Sequence, residues 1–283
     1  MGLNRMAQQA VRILRLHVAG RDATTPRGSR WLLWGPLLAL LGCLLIFRMT
    51  YADIAVSECC YCQLTERWPM ADAQPWLSLY EYGCLPAMVL GIGGLLTTLV
   101  CVCLRRGRKP RRAGLFLALS LLLGPGLLVN FMLKPMMGRP RPAQTEVFGG
   151  EESFVLVGTP AQLENCRSFP SGHASMGFYL MAPAFMLKRK QKKLAAAFLA
   201  LGIGFGLLMG AARILQGAHF ASDVLGAVIC VYIGALAAKL ILGFGGWADR
   251  VWPEDLAETA QAPASAPTPT AAPPTVWGDR VAA

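Results

Sequence analysis

Residues 113–133 read AGLFLALSLLLGPGLLVNFML, an unbroken stretch without a charge, and Lys134 follows directly. A stretch of this length and polarity meets the requirement of about 20 residues for a helix crossing a hydrocarbon core. Five further apolar runs flank it: Trp31–Phe47, Gly83–Leu104, His173–Leu187, Leu194–Ala212 and Asp223–Phe244. The run His173–Leu187 is the shortest and borrows flanking residues if it crosses. The chain has 283 residues, of which 54% are hydrophobic and only 15% charged. A soluble all-helical protein would need polar faces that six such runs do not leave. The sequence therefore predicts an all-α, polytopic membrane helix bundle of about six transmembrane helices.

The formal net charge is +11, and the positive residues cluster. Arg5, Arg12, Arg15, Arg21, Arg27 and Arg30 precede the first run. Arg105, Arg106, Arg108, Lys109, Arg111 and Arg112 follow the second, and Lys188, Arg189, Lys190, Lys192 and Lys193 follow the fourth. If six spans alternate, all three clusters share one side, and the positive-inside rule predicts that both termini are cytoplasmic. Topology accounts for the basic balance, and no nucleic-acid motif accompanies it. Leu40-Leu41-Gly42-Cys43 is similar to a lipoprotein cleavage site. The apolar run continues past it to Phe47, and the leader would be too long, so the segment reads as a retained span.

Three regions are expected. Residues 1–30 form a basic cytoplasmic leader, either an interfacial helix carrying Val11, Leu14 and Val18 or a disordered topology signal. Residues 31–247 form the six-span membrane domain. Residues 248–283 form an Ala/Pro/Thr-rich cytoplasmic tail, expected to be disordered because it has too little apolar surface to bury. Outer loops fall at 48–82, 134–172 and 213–222. Of nine cysteines, Cys43, Cys101, Cys103 and Cys230 read as packing residues in or near spans. Cys59, Cys60, Cys62, Cys84 and Cys166 lie on or near the outer side, as disulfides in an oxidising compartment or as reduced thiols. None has zinc spacing.

The chemistry-bearing residues gather on that outer side. Lys134 ends the third span, and Arg141-Pro142 follows it. Pro170-Ser171-Gly172-His173 opens the fourth span, Arg213 ends the fifth, and His219 and Asp223 open the sixth. Each has an ordinary reading alone: a snorkelling lysine, a turn, a structural His/Asp pair. Together they fit a phosphate of about −1.5 to −2 charge. Lys134, Arg141 and Arg213 supply cations, and arginine's fork suits paired oxygens. A helix start at Ser171-Gly172 offers free N–H groups, and Gly172 allows close approach. His219 and Asp223, four apart, share a helix face. The carboxylate would fix the imidazole tautomer, which suits His219 as nucleophile. His173 suits an acid that later acts as base.

In order and spacing, Lys134…Arg141-Pro142, Pro170-Ser171-Gly172-His173 and Arg213…His219…Asp223 resemble the signature of the type 2 phosphatidic acid phosphatase family, whose fold is shared with vanadium haloperoxidases. The resemblance covers roughly residues 83–244. It implies a phosphohistidine on His219, His173 as acid and then base, and phosphate binding by Lys134, Arg141, Ser171, Gly172 and Arg213, with no metal or other cofactor. Ala212 departs from the serine of that pattern, which removes one polar contact and no charge. A second register, Lys134…Arg139-Pro140, offers Arg139 as an extra phosphate ligand or a headgroup contact, and the headgroup reading is preferred.

The expected function is hydrolysis of a lipid phosphate monoester or pyrophosphate at the extracytoplasmic face of a bacterial inner membrane. The bilayer and its lipid are the partners, with no nucleic acid. Phe148–Phe154 and Asn165–Phe169 are expected either to form a substrate-selecting cap or merely to close the outer face. This loop is similar to that of bacterial lipid A phosphatases. Undecaprenyl pyrophosphate, phosphatidylglycerol phosphate, phosphatidate and lipid A all remain open as substrates. Alternatives are a lipid phosphotransferase using the same intermediate and a non-catalytic lipid binder or scrambler. A haloperoxidase is disfavoured by the membrane spans.

Overall fold

The computed structural model describes residues 27–244, apart from Gln162 and Glu164. Most of the basic leader and the whole 248–283 tail lie outside the described residues. Helix α1 spans Arg27–Met49, and α2, Ala52–Glu58, follows at an 81° bend. Then come α3 (Trp76–Tyr82), α4 (Leu85–Cys103) and α5 (Arg108–Leu121). A π-helical stretch, Leu122–Leu133, continues α5 into the single turn α6 (Lys134–Met137). The remaining helices are α7 (Gly172–Tyr179), α8 (Pro183–Met186), α9 (Lys192–Leu215) and α10 (Ala221–Leu242). No strand is present among the described residues, only two isolated β-bridges.

Four helical stretches are long and apolar enough to cross a membrane: Trp76–Cys103, Arg108–Gln144, Lys192–Leu215 and Ala221–Leu242. The bent pair α1–α2 makes a fifth if counted as one. Helix length does not confirm the count of six, because the run His173–Leu187 is not one helix. It folds as α7 and α8 with a turn between them, and Pro183 starts the second piece. Its apolar residues face protein: Phe178, Tyr179, Met181, Ala182 and Phe185 are all buried. Tyr179 donates to the Leu117 carbonyl at 2.7 Å. Added side chains at Gly202 and Gly206 of α9 would collide with Met181 and Phe178, so small residues let this segment lie directly on α9.

Helix α10 is the centre of the bundle. Its apolar window is 61% buried, against 22–28% for the other three spans. It packs on α1, α5, the π-helical stretch and α7. Gly124 meets the α10 backbone at Val231, where a side chain would crowd it. Pro125 inside this stretch has no N–H to give, and the Asn130 side chain donates to its carbonyl at 2.7 Å. Large apolar side chains such as Leu38, Leu45, Leu96, Leu99 and Leu207 remain exposed. Such faces suit lipid rather than water.

The chain direction sorts the helix ends into two layers. Lys134, Ser171, Arg213 and Ala221 lie at one end. Arg112, whose Nη2 donates to the Leu242 carbonyl at 2.8 Å, lies at the other. All nine cysteines are free. Cys101, Cys166 and Cys230 are buried, whereas Cys43 and Cys103 are exposed and so do not pack internally as expected.

Candidate active site

Tight local geometry places His219. Helix α9 ends at Leu215, and the chain reverses through Gly217, whose φ of +67° lies in the left-handed region that glycine tolerates. A side chain there would also strike the Trp68 ring. The reversal is tied by Ala218 N–H and His219 N–H, which donate to the Arg213 carbonyl at 3.0 and 3.3 Å. Arg213 and His219 are thus held as one unit, although six positions separate them.

Asp223 sits in the first turn of α10 and is fully buried. Its Oδ2 accepts from Phe220 N–H at 2.8 Å and from Ser168 Oγ at 2.5 Å. His219 Nδ1 lies 3.6 Å from the same oxygen, a charge-pairing separation longer than a hydrogen bond. It also lies 3.5 Å from Ser168 Oγ. Nδ1 therefore faces the carboxylate, and Nε2 is left to face the site. Burial holds the His219 imidazole below its usual pKa, against the pull of Asp223; Arg213 and Lys134 add to the lowering.

Ser171 caps α7, its Oγ accepting from Ala174 N–H at 3.4 Å, while its own N–H donates to the Asp223 carbonyl at 3.0 Å. This bond ties the start of α7 to the start of α10. A Cβ at Gly172 would sit 2.8 Å from Lys134 Nζ, so the missing side chain lets the ammonium lie on the helix start. His173, half-buried, stacks on Tyr80 at 4.9 Å between ring centroids. Arg213 lies over the same ring, 4.4 Å from its centre, and donates to Gln216 Oε1 at 2.6 Å. Burial first, then the Arg213 charge, lower the His173 pKa to about 4.

The structure thus brings Lys134, Ser171, Gly172, His173, Arg213, His219 and Asp223 together. Arg141 is exposed at the rim, within electrostatic range of Lys134 and Arg213. Arg167, a residue the motif reading passes over, joins them near Lys134. None of these four cations has a carboxylate partner among the described residues, and Arg213 Nε is buried without any hydrogen-bond partner. Ala212, at the serine position of the family pattern, is buried. Among the described residues, no three His, Cys, Asp or Glu side chains cluster as a metal site.

Arg139 corrects the sequence reading. It does not face lipid headgroups but is 1% exposed, the largest of the fully buried side chains. Its Nη1 donates to Asp223 Oδ1 at 2.6 Å and Ser222 Oγ at 2.8 Å. Its Nη2 donates to Asp53 Oδ2 at 2.8 Å and its Nε to the Val155 carbonyl at 2.9 Å. The guanidinium also lies over the Phe220 ring at 4.5 Å. Asp53 likewise escaped the sequence reading, as did the bond of Ser168, a residue of the expected cap stretch, to Asp223. The one available signal was that a second arginine in the Lys134 segment needs a counter-charge if it is buried.

Residues 113–247 match the family model described as PAP2 superfamily. The chain carries a PAP2 superfamily domain. This PAP2 domain holds every motif residue described above, whereas Asp53 and Tyr80 lie before it. Among curated proteins, the chain is 44% identical over 128 residues to a lipid A 4'-phosphatase of Francisella tularensis subsp. novicida, covering 44% of this chain and 56% of that protein. It is 41% identical over 107 residues to a lipid A 4'-phosphatase of Rhizobium leguminosarum, covering 37% and 44%. A lipid A 1-phosphatase of Rhizobium etli is 34% identical over 123 residues, covering 43% and 41%. The chain spans about half the length of the curated relatives it matches. No solved structure matches it.

Proposed function

We propose that the protein is an integral-membrane phosphatase that removes a phosphate group from lipid A, or a closely similar phosphoglycolipid, through a phosphohistidine on His219. The observation that carries this reading is a set of cations without carboxylate partners among the described residues: Lys134 and Arg213 beside both histidines, with Arg141 and Arg167 near Lys134. The nearby carboxylate, Asp223, is already engaged by Arg139 and Ser168. Such a site favours an anion of two negative charges and repels nothing on it. The relatives' names supply the lipid. An apolar cavity of about 1070 Å³ between α1, α9 and α10 reaches Ile214 and Ala221, the neighbours of the site, and suits the lipid's acyl chains.

In the first half-reaction, His219 Nε2 attacks phosphorus while Asp223 stabilises the proton on Nδ1. The bond to the lipid oxygen breaks, and that oxygen takes a proton from His173. In the second half, His173 takes a proton from water, the oxygen attacks the phosphohistidine, and inorganic phosphate leaves. With its pKa lowered to about 4, the His173 imidazole is neutral rather than cationic near pH 7. The negative charge of the arriving phosphate favours its second proton, the one passed to the leaving oxygen. Ser171 caps α7 by accepting from Ala174 N–H, which leaves its own O–H to donate to the phosphate, and the α7 N–H groups face the anion.

We place the site at the extracytoplasmic face of a bacterial inner membrane, with both termini cytoplasmic. The basic segments 105–112 and 188–193 lie at the opposite end of the helices, which suits the positive-inside rule. The test is purified protein in detergent with bisphosphorylated lipid A, products resolved by mass spectrometry. Loss of one phosphate as inorganic phosphate, abolished in His219→Ala, is expected. Transfer of the group to an alcohol acceptor would make it a phosphotransferase instead. Full activity in His219→Ala would overturn the phosphohistidine.

A further inference from the structure

Asp223 has two tasks that conflict electrostatically. It is the carboxylate behind His219, yet one of its oxygens is taken by a full positive charge, Arg139, at 2.6 Å. An Asp223–Arg139 pair alone is neutral and has little left to stabilise a cationic imidazole. The second carboxylate on Arg139 alters this balance. Asp53 is 1% exposed and bonds Arg139 Nη2 at 2.8 Å. It also accepts from Ser222 N–H at 2.9 Å and Ser222 Oγ at 2.5 Å. Asp53, Arg139 and Asp223 together carry one net negative charge, which is the counter-charge for one positive charge on His219.

We propose that Asp53 is a positioning residue for the nucleophile: it returns to the His219 site the negative charge that Arg139 withdraws from Asp223, and it fixes the start of α10 through Ser222. Asp53 comes from α2, the bent continuation of α1, and lies outside the 113–247 family match. The N-terminal segment is thereby part of the catalytic apparatus rather than a detachable anchor. The inference rests on His219 acting as the proposed nucleophile, but its electrostatic core concerns the resting protein as well. The charged and titratable groups facing His219 are Lys134 on α6, His173 on α7, Arg213 on α9 and Asp223 on α10. Arg139 and Asp53 stand behind Asp223. Removing the Asp53 charge makes that surround one unit more positive, so protonation of His219 becomes harder.

The test is Asp53→Asn, which keeps the shape and removes the charge, in the full chain in detergent micelles. Nitrogen-labelled histidine NMR reads the titration midpoint of His219, identified by its loss in His219→Ala. A shift to lower pH of about one unit is expected in Asp53→Asn, and an unmoved midpoint overturns the proposal. With lipid A as substrate, kcat should fall by roughly tenfold or more while KM holds, because the lost charge acts on the transition state. Adding Arg139→Gln to Asp53→Asn restores the net negative charge through Asp223 alone and should move the midpoint back. Failure to move it back counts against the charge balance. Ser57→Ala, a buried change on the same helix outside the network, should leave the midpoint in place; if it shifts equally, Asp53 is only a packing residue. Wild-type protein that releases no phosphate from any lipid refutes the enzymatic reading alone, since the NMR midpoint still decides this one.

Discussion

Arg139→Met removes the one cation between two buried carboxylates and leaves a side chain of similar length. Asp53 and Asp223 are 1% and 0% exposed, so neither can recover its lost partner from water. The change deletes two ion pairs, at 2.8 and 2.6 Å, and the hydrogen bonds to Ser222 and Val155. Breaking a buried pair by removing one partner typically costs about 3–5 kcal/mol, mostly because a charge stays behind unpaired. Here two like charges stay behind, both bonded to the first turn of α10, so the upper part of that range is expected. For a domain of this size, the cost corresponds to a fall in Tm of roughly 10 °C or more. The assay is thermal unfolding of purified protein in mild detergent, followed by intrinsic fluorescence and by loss of the monodisperse peak. Arg139→Lys serves as the matched variant. It keeps the charge but cannot reach all four acceptors with one ammonium, so it should lose less than half as much. An Arg139→Met protein that melts within ~2 °C of wild type would refute the buried-hub reading and return Arg139 to the surface.

Three further outcomes are expected. Gly172→Ala places a methyl 2.8 Å from Lys134 Nζ and 3.4 Å from Asn130 Oδ1; the flexible ammonium shifts, so kcat/KM should fall roughly tenfold while Tm is unchanged, and wild-type kinetics would show that Lys134 does not need this position. The His173 pKa of about 4 means that the imidazole is neutral above that pH and gains its proton only when an anion arrives. Vanadate binding at pH 6–7 should therefore take up protons, measurable by calorimetry in buffers of different ionisation enthalpy, and binding without proton uptake contradicts the assignment. Hydrolysis should persist in a strong chelator and be inhibited by vanadate; loss of activity restored by a divalent ion, or resistance to high vanadate, would contradict phosphoryl transfer carried by His219 alone.

Hydropathy made most of the bundle legible, because lipid selects apolar residues over long unbroken runs. It did not reveal that His173–Leu187 folds as two short helices against protein, for a physical reason: residues facing protein and residues facing lipid are equally apolar. Phe178 and Met181 are apolar because α9 covers them, and no index of polarity separates the two causes. The spacing of Lys134, His173, Arg213, His219 and Asp223 was legible because each sits at the end of a helical run, and alternating runs bring those ends together. Asp53 was not legible. Its bonds to Arg139 and Ser222 join positions 86 and 169 residues apart, and an acidic residue just beyond an apolar run has the same appearance whether it meets water or a buried guanidinium.

The fate of Arg139 also bears on how the proposed site would hold an anion. A carboxylate among Lys134, Arg141, Arg167 and Arg213 would neutralise them and compete with phosphate. The two acids that α10 needs at its start are instead turned away from that cluster and satisfied by Arg139, which takes both. One buried cation thus lets Asp223 stand behind His219 without lending its second oxygen to the phosphate cations. The same arrangement demands Asp53, since a lone Asp223 shared with Arg139 would bring no net charge to the histidine. The cationic mouth and the anionic floor are therefore coupled: His219 lies at their boundary, with Nε2 toward the cations and Nδ1 toward the acids, which is the orientation an attacking imidazole requires.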